Sequence, residues 1–332
     1  VKALVTGGGG FLGKAIATQW LARGDSVRSL ARGDYPELRS LGVETLRGDV
    51  ADSAAVTEAV KGCDVIFHVA AKAGIWGTRA EFDLANVKGT QVVLDACRKE
   101  GIDRLVYTSS PSVVYGGHAL EGVDESVPYP LTYEAEYPRT KAIAEKLVLA
   151  ANGPSLRTVA LRPHLIWGPG DTNLVPRIVA RARSGQLRRI GSGRALVDTV
   201  YIDNAAEAHL LAADRLLPGA PLCGRPYFIT NGEPIAVGDI VDGILGAAGL
   251  PPVTRSVPPA LAYLVGGLTE TTWRVLRRSD EPPMTRFLAR QLSTAHWFNI
   301  DAAKRDLGYA PRVSIAEGLE KLRLSFAHPH NS

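Results

Sequence analysis

The chain has 332 residues, 45% of them hydrophobic and 22% charged, with a formal net charge of +4. That balance excludes a disordered or low-complexity protein and leaves room for one large domain with an appended lobe. So small a charge for this length gives no ground for nucleic-acid binding. Three scattered cysteines, Cys63, Cys97 and Cys223, have neither a disulfide-framework count nor metal-ligand spacing, so no metal site is expected and a cytoplasmic setting is. The apolar start lacks a long export region, and an initiator Met is expected before Val1.

Residues 3–6 are strand-like and lead into Thr-Gly-Gly-Gly-Gly-Phe-Leu-Gly at 6–13, after which Ile16, Trp20 and Leu21 continue at helical spacing. Gly7, Gly10 and Gly13 can form the tight turn, admit a pyrophosphate close to the backbone and let helix pack on strand. The helix start then offers unpaired amides to the phosphates. Glycines also mark ordinary loops; the strand before and the helix after favour dinucleotide binding.

Further strands are predicted at 26–31, 43–47, 65–69, 104–109 and 158–162, with helices after Asp52, at 80–99 and at 137–151. This alternation implies an α/β fold, a doubly wound parallel sheet covered on both faces. Ligands bind such sheets outside the carboxyl ends of the strands, where Gly7, Asp49, His68, Ser109 and Arg162 fall. After Pro163 the connections become rich in Pro and Gly, with helices at 174–184, 203–217, 237–248 and 315–324. We read residues 1–163 as the dinucleotide core and 164–332 mainly as a smaller substrate lobe, with about 195–217 returning to the core.

Residues 257–276 place Leu261, Leu264, Val265 and Leu268 on one helical face, but the uncharged run ends at Glu270, short of the ~20 residues that span a bilayer. Such stripes are usually core or subunit contacts. Six arginines at 255, 274, 277, 278, 286 and 290 outnumber the acids Glu270, Asp280 and Glu281, which also admits a membrane-surface or partner-enzyme contact.

Tyr137 and Lys141, in Glu-Tyr-Pro-Arg-Thr-Lys, lie one turn apart on a helix face, and Pro138 confines Tyr137 to the helix start. A phenol titrates near ~10 and becomes a proton-transfer group near neutrality when an ammonium and an oxidised nicotinamide bias it downward. In isolation such a pair is usually a solvated helix face. Here it follows a dinucleotide loop and a strand ending in serines. Within Leu-Val-Tyr-Thr-Ser-Ser-Pro-Ser-Val-Val-Tyr-Gly at 105–116, a serine can donate to a substrate carbonyl and stabilise charge developing there. Ser and Pro also favour a plain turn.

Together these residues resemble an extended short-chain dehydrogenase/reductase over nearly the whole chain, a Rossmann fold with a C-terminal substrate lobe. The matching pieces include the 6–13 loop, Asp49-Val50, His68-Val69-Ala70-Ala71, Asn86-Val87-Lys88-Gly89-Thr90, the serine strand, Tyr137/Lys141, Arg162-Pro163, Gly168-Pro169-Gly170 and Val200-Tyr201-Ile202-Asp203-Asn204. The resemblance implies Tyr137 as general acid/base, Lys141 on the nicotinamide ribose, and a serine orienting the substrate oxygen. It also implies cofactor contacts from Gly7, Gly10, Phe11, Leu12, Gly13, Asp49, Val50, Ala70, Ala71 and Pro163, with Asp49 and Val50 at the adenine. Sugar-modifying relatives would put Pro111 at the serine position, whereas the 3β-hydroxysteroid branch gives Ser110. Ser110 is chosen, with Ser109 and Ser112 as alternatives.

Where an acid would grip the adenosine ribose and favour NAD, the chain has Ala31-Arg32-Gly33, with Arg28 nearby. Arginine suits a 2′-phosphate, so NADP is expected over NAD. The motifs are most similar to the steroid and sterol-4-carboxylate dehydrogenase branch, and within it to bacterial reductases of 2-alkyl-3-oxoalkanoic acids in long-chain olefin synthesis. A hydrophobic acid or sterol-like substrate is therefore implied, with Ile75, Trp76 and the apolar 257–276 stretch as a greasy pocket or lid or equally as core, and His164 beside the pocket as a carboxylate contact or a structural residue. A homodimer through helices near 86–99 and 137–151 is implied as well, along with contact to pathway enzymes. The rival readings are a 3β-hydroxysteroid or sterol-acid dehydrogenase, a nucleotide-sugar epimerase or dehydratase, and a non-catalytic dinucleotide-sensing subunit.

Overall fold

The computed structural model describes residues 1–327. Seven parallel strands form the central sheet: β1 (Lys2–Thr6), β2 (Ser26–Ala31), β3 (Glu44–Arg47), β4 (Val65–His68), β5 (Arg104–Thr108), β6 (Arg157–Pro163) and β7 (Pro226–Ile229). Their spatial order is 7-6-5-4-1-2-3, so the winding reverses between β1 and β4 and opens a crevice at their carboxyl ends. β1 and β4 run in register, Ala3 opposite Val65 and Thr6 opposite His68. Ala3, Leu4 and Val5 are wholly buried, as are Val65, Ile66 and Phe67. Such unbroken apolar runs are what a sheet covered on both faces requires.

Two apolar cores lie on the two faces of the sheet. On one, Leu12, Ile16, Ala17 and Trp20 of the Phe11–Ala22 helix pack down, and Trp20 meets Phe67 edge-on at 5.1 Å. On the other, the helices Ser53–Val60, Gly89–Glu100 and Glu136–Ala150 bury Val56, Val93 and Val148 with Leu4 and Leu105.

The helix expected at 80–99 is interrupted: Arg79–Phe82 gives way to a π-helical turn, Asp83–Lys88, before Gly89–Glu100. Widened turns of this kind gather at functional sites, and this one carries Asn86. β7, Pro226–Ile229, was not anticipated; it pairs in parallel with β6. A second, four-stranded sheet joins Leu120–Val123, Leu196–Val197, Ile235–Ala236 and His296–Phe298 beside the crevice.

The apolar stripe at 257–276 is not core. The Pro259–Val275 helix docks through Ala262, Gly266 and Glu270, whose carboxylate binds the Arg286 amide and guanidinium. A Cβ on Gly266 would lie 2.6 Å from the Thr285 backbone, so only glycine allows this approach. The large residues Leu261, Leu264, Val265 and Leu268 face outward instead, Leu268 at 62% exposure.

Candidate active site

A cavity of about 960 Å³ follows the carboxyl ends of the strands, and every predicted cofactor and catalytic residue lines it: Gly7, Gly10, Phe11, Leu12, Gly13, Arg32, Asp49, Val50, Ala70, Ala71, Ser110, Tyr137, Lys141 and Pro163. At one end, Gly7 turns with φ +72° and its carbonyl accepts the Gly10 amide at 2.9 Å. A Cβ on Gly13 would stand 2.2 Å from that same carbonyl, so the helix can start this close to the turn only with glycine there. No side chain caps the start of this helix and no acid lies in its first turn, which leaves its amides for an anion. The cradle therefore fits a dinucleotide pyrophosphate. Tyr35, which carried no signal in the sequence, lines the same end beside Arg32 and Asp49, its ring lying against Gly9.

The catalytic end is assembled from β5 and the Glu136–Ala150 helix. Pro138 sits in the first helical turn and places Tyr137 at the helix start, one turn below Lys141. The Lys141 ammonium donates to the Thr108 carbonyl at 2.5 Å and lies 4.2 Å from the Tyr107 ring centroid. Burial brings its pKa down to about 7, against Glu145, whose charge pulls it up. Burial also pushes the Tyr137 phenol up, while hydrogen bonding with Ser110 pulls it down. Desolvation outweighs the hydroxyl contact and the net shift is upward; the downward bias expected from the sequence needs an oxidised nicotinamide beside the phenol. A neutral phenol is the form that can give a proton to a developing alkoxide.

All three candidate serines line the cavity. Ser110 is tied to Ser112 through an Oγ–Oγ contact of 2.9 Å and accepts the Ser112 amide at 3.2 Å. Ser109 is buried, and its hydroxyl has no partner among the described residues. Of the three, Ser110 is the one whose hydroxyl acts on the Tyr137 phenol, pulling its pKa down.

Two buried networks hold these groups in place. Thr6 receives the amides of Val69 and Ala70 at 3.1 Å each and meets His68 at 2.8 Å; His68 in turn meets Thr90 at 3.0 Å. Asn86 links the Lys72 amide and carbonyl to the Thr140 hydroxyl, fastening the cofactor groove to the catalytic helix. Sequence reading included Asn86 in a matched motif without giving it this task.

Three expectations change. His68 sits behind the cavity wall, its pKa lowered to about 3 by burial and the nearby Lys141 charge, so it is a neutral strut. Arg162 does not face ligand: it is fully buried and binds Glu145 through two hydrogen bonds of 3.0 and 2.7 Å. Arg28 turns to Glu44 and to the carbonyls of Ala59 and Lys61, away from the groove. His164 does line the cavity, but its Nδ1 engages the Asp198 carbonyl at 2.6 Å and its ring packs on His296. Burial and His296 hold it far below the usual histidine range, so it offers no positive charge to a substrate. The adjoining Leu165 adopts φ +45°, a left-handed conformation rare for leucine, at the cavity edge.

A family model described as the 3-beta hydroxysteroid dehydrogenase/isomerase family matches residues 4–257. The chain is 53% identical over 329 residues to the 2-alkyl-3-oxoalkanoate reductase of Stenotrophomonas maltophilia (strain K279a), covering 98% of this chain and all, 100%, of that protein. It is 51% identical over 331 residues to the enzyme of the same name from Shewanella oneidensis, covering 97% of this chain and 86% of that one. Sterol-4-alpha-carboxylate 3-dehydrogenase, decarboxylating, of Mus musculus is 33% identical over 335 residues, 98% of this chain and 91% of that protein. Among solved structures, a UDP-glucuronic acid 4-epimerase from Bacillus cereus in complex with NAD superposes with a TM-score of 0.73 at 22% identity, covering 98% and 100% of the two chains, which speaks to the fold.

Proposed function

The chain belongs to the 3-beta hydroxysteroid dehydrogenase/isomerase family of NAD(P)-dependent oxidoreductases, and we propose that it reduces a long-chain 2-alkyl-3-oxoalkanoic acid to the 2-alkyl-3-hydroxy acid with NADPH, a step in olefin synthesis. The carrying observation is the identity of 53% with a 2-alkyl-3-oxoalkanoate reductase across 98% of the chain. The cleft supplies matching chemistry. Ser110 donates a hydrogen bond to the 3-oxo oxygen, and Tyr137 passes its phenolic proton to that oxygen as the carbonyl carbon is reduced. Lys141 binds the nicotinamide ribose and, when charged, favours the phenolate left behind. When bound, the dinucleotide supplies the hydride in reduction and accepts it in oxidation. Arg32, at the end of β2, favours a 2′-phosphate and hence NADP.

We read residues 1–163 as the dinucleotide core and the residues after them mainly as the substrate lobe. Two contacts belong to the same proposal: a homodimer through the helices near 86–99 and 137–151, and a peripheral contact of the Pro259–Val275 helix with an anionic lipid surface. The second rests on the outward leucines together with the exposed Arg277, while Arg274 lies over the Trp76 ring and Arg278, Arg286 and Arg290 are ion-paired within the chain. Among the described residues no helix is long and apolar enough to cross a membrane.

Oxidation of 2-alkyl-3-hydroxy acids of graded chain length tests the reading, because the 3-oxo acid can lose carbon dioxide and obscure the reverse assay. Each buried methylene contributes ~0.8 kcal/mol, so kcat/KM should rise about fourfold per methylene until the pocket is filled. The second reading, a sterol-acid 3-dehydrogenase, draws on the identity of 33% with the mouse enzyme. A flat chain-length response with strong activity on a 3β-hydroxysteroid would move the assignment there.

A further inference from the structure

The substrate side of the cleft holds an ion pair that the chemistry above does not use. Arg177, on the Leu174–Arg183 helix, lines the cavity together with Asn173, and its guanidinium is bonded to Glu281. The other oxygen of the Glu281 carboxylate accepts the Ile75 amide at 3.1 Å. Beside it Gly74 has φ +96°, and a Cβ there would lie 2.9 Å from the same oxygen. Backbone and guanidinium thus form a seat shaped around a carboxylate, on the cavity wall and next to the apolar Ile75.

The other cations lining the cavity are committed elsewhere. Arg32 lies at the Asp49 end, Lys141 is held under the Thr108 carbonyl, and Lys72 pairs with Glu81 at 3.6 Å. His164 is neutral. The Arg177–Glu281 pair itself is open to water, with side-chain exposures of 44% and 29%. Ion pairs so exposed add little net stability, so a competing carboxylate can replace Glu281 at small cost.

We propose that Arg177 and the Ile75 amide form the binding site for the substrate's carboxylate, and that Glu281 is an internal carboxylate competing for that seat. This rests on the oxo-acid reading of the site. It explains how the cleft can select an acid over a neutral alcohol: a planar guanidinium meets a carboxylate with two parallel hydrogen bonds. Glu281 then sets the threshold for entry, because the acid must displace it from both Arg177 and the 72–77 loop.

The test compares oxidation of a long-chain 2-alkyl-3-hydroxy acid with that of the matched secondary alcohol lacking the carboxyl group. In Arg177→Met the acid-to-alcohol ratio of kcat/KM should fall about 10- to 100-fold, carried by KM, as expected for a lost charge-assisted contact. In Glu281→Gln the KM for the acid should drop severalfold, because the competitor has lost its charge. Arg177→Lys, which keeps the charge but not the planar fork, should lie between wild type and Arg177→Met, and serves if Arg177→Met fails to fold. An unchanged ratio in the Arg177 variants overturns the inference, as does a rise in the KM for NADP⁺ without one for the acid. Glu281→Gln weakening acid and alcohol alike would show a structural clasp and overturn it too. A wild-type enzyme that oxidises no 3-hydroxy acid at all refutes the proposed function first, which separates that failure from failure of the Arg177 site alone.

Discussion

Replacing Glu145 with glutamine should destabilise the protein severely and disturb the catalytic lysine at the same time. Glu145 is wholly buried and accepts three hydrogen bonds: Arg162 Nε at 3.0 Å, Arg162 Nη2 at 2.7 Å and the Tyr129 hydroxyl at 2.6 Å. Arg162 is equally enclosed, lying between the rings of Tyr129 and Phe228, so the glutamine variant leaves a guanidinium charge in the interior without a counter-charge. Breaking one side of a buried pair costs about 3–5 kcal/mol. Removing both charges in Glu145→Gln/Arg162→Met should cost clearly less than Glu145→Gln and Arg162→Met together, because no charge is then stranded. Urea unfolding of the four proteins closes the double-mutant cycle, with an expected coupling of roughly 1.5–3 kcal/mol. The functional arm follows from the sign of the Lys141 shift: burial lowers its pKa to about 7 and the Glu145 charge opposes that. Loss of the charge therefore moves the Lys141 titration further down, and the limb of the pH–rate profile that reports it should move to lower pH. A single variant within 1 kcal/mol of wild type, or energies that simply add, would refute the account of this pair.

Tyr137→Phe should lower turnover about 10²- to 10⁴-fold while the protein still binds NADPH; near-normal turnover in the purified variant would remove Tyr137 from the acid/base role. Arg32→Ala should raise the KM for NADPH about 10- to 150-fold more than that for NADH, the worth of one charge-assisted contact, and a wild type that already prefers NADH contradicts the reading of β2. Vesicles with anionic headgroups should co-sediment the protein in a salt-sensitive manner, and Leu264→Glu/Leu268→Glu should release it without loss of folding, since both side chains already face water. Equal binding by the double variant would assign the outward face to something other than lipid.

The glycine loop, the Tyr137/Lys141 spacing and the strand–helix alternation were legible because each is local: a turn, a helical period and an apolar run are written in consecutive residues. What escaped is long-range. β7 exists through its partner β6, and the small sheet gathers strands from four distant parts of the chain. The π-helical turn that aims Asn86 at Lys72 and Thr140 leaves no mark in composition.

Charge was the least legible property, because the sequence gives an ionisable group without its solvent. Arg162 and His68 sit at strand ends where ligands bind, yet one is spent on Glu145 and the other is kept neutral by burial. Arg28 and Arg32 are four residues apart near the end of one strand, and only Arg32 reaches the groove, because β2 directs Arg28 to Glu44 on β3. His164 lies at the cavity but burial keeps it from being a cation there, whereas Arg177, on the Leu174–Arg183 helix, lines the same cavity. The same logic applies to the Pro259–Val275 helix, where hydrophobic spacing identified a face but not its direction. Gly266 and Ala262 decided that, because the smallest residues allow the closest approach and so turned the leucines outward.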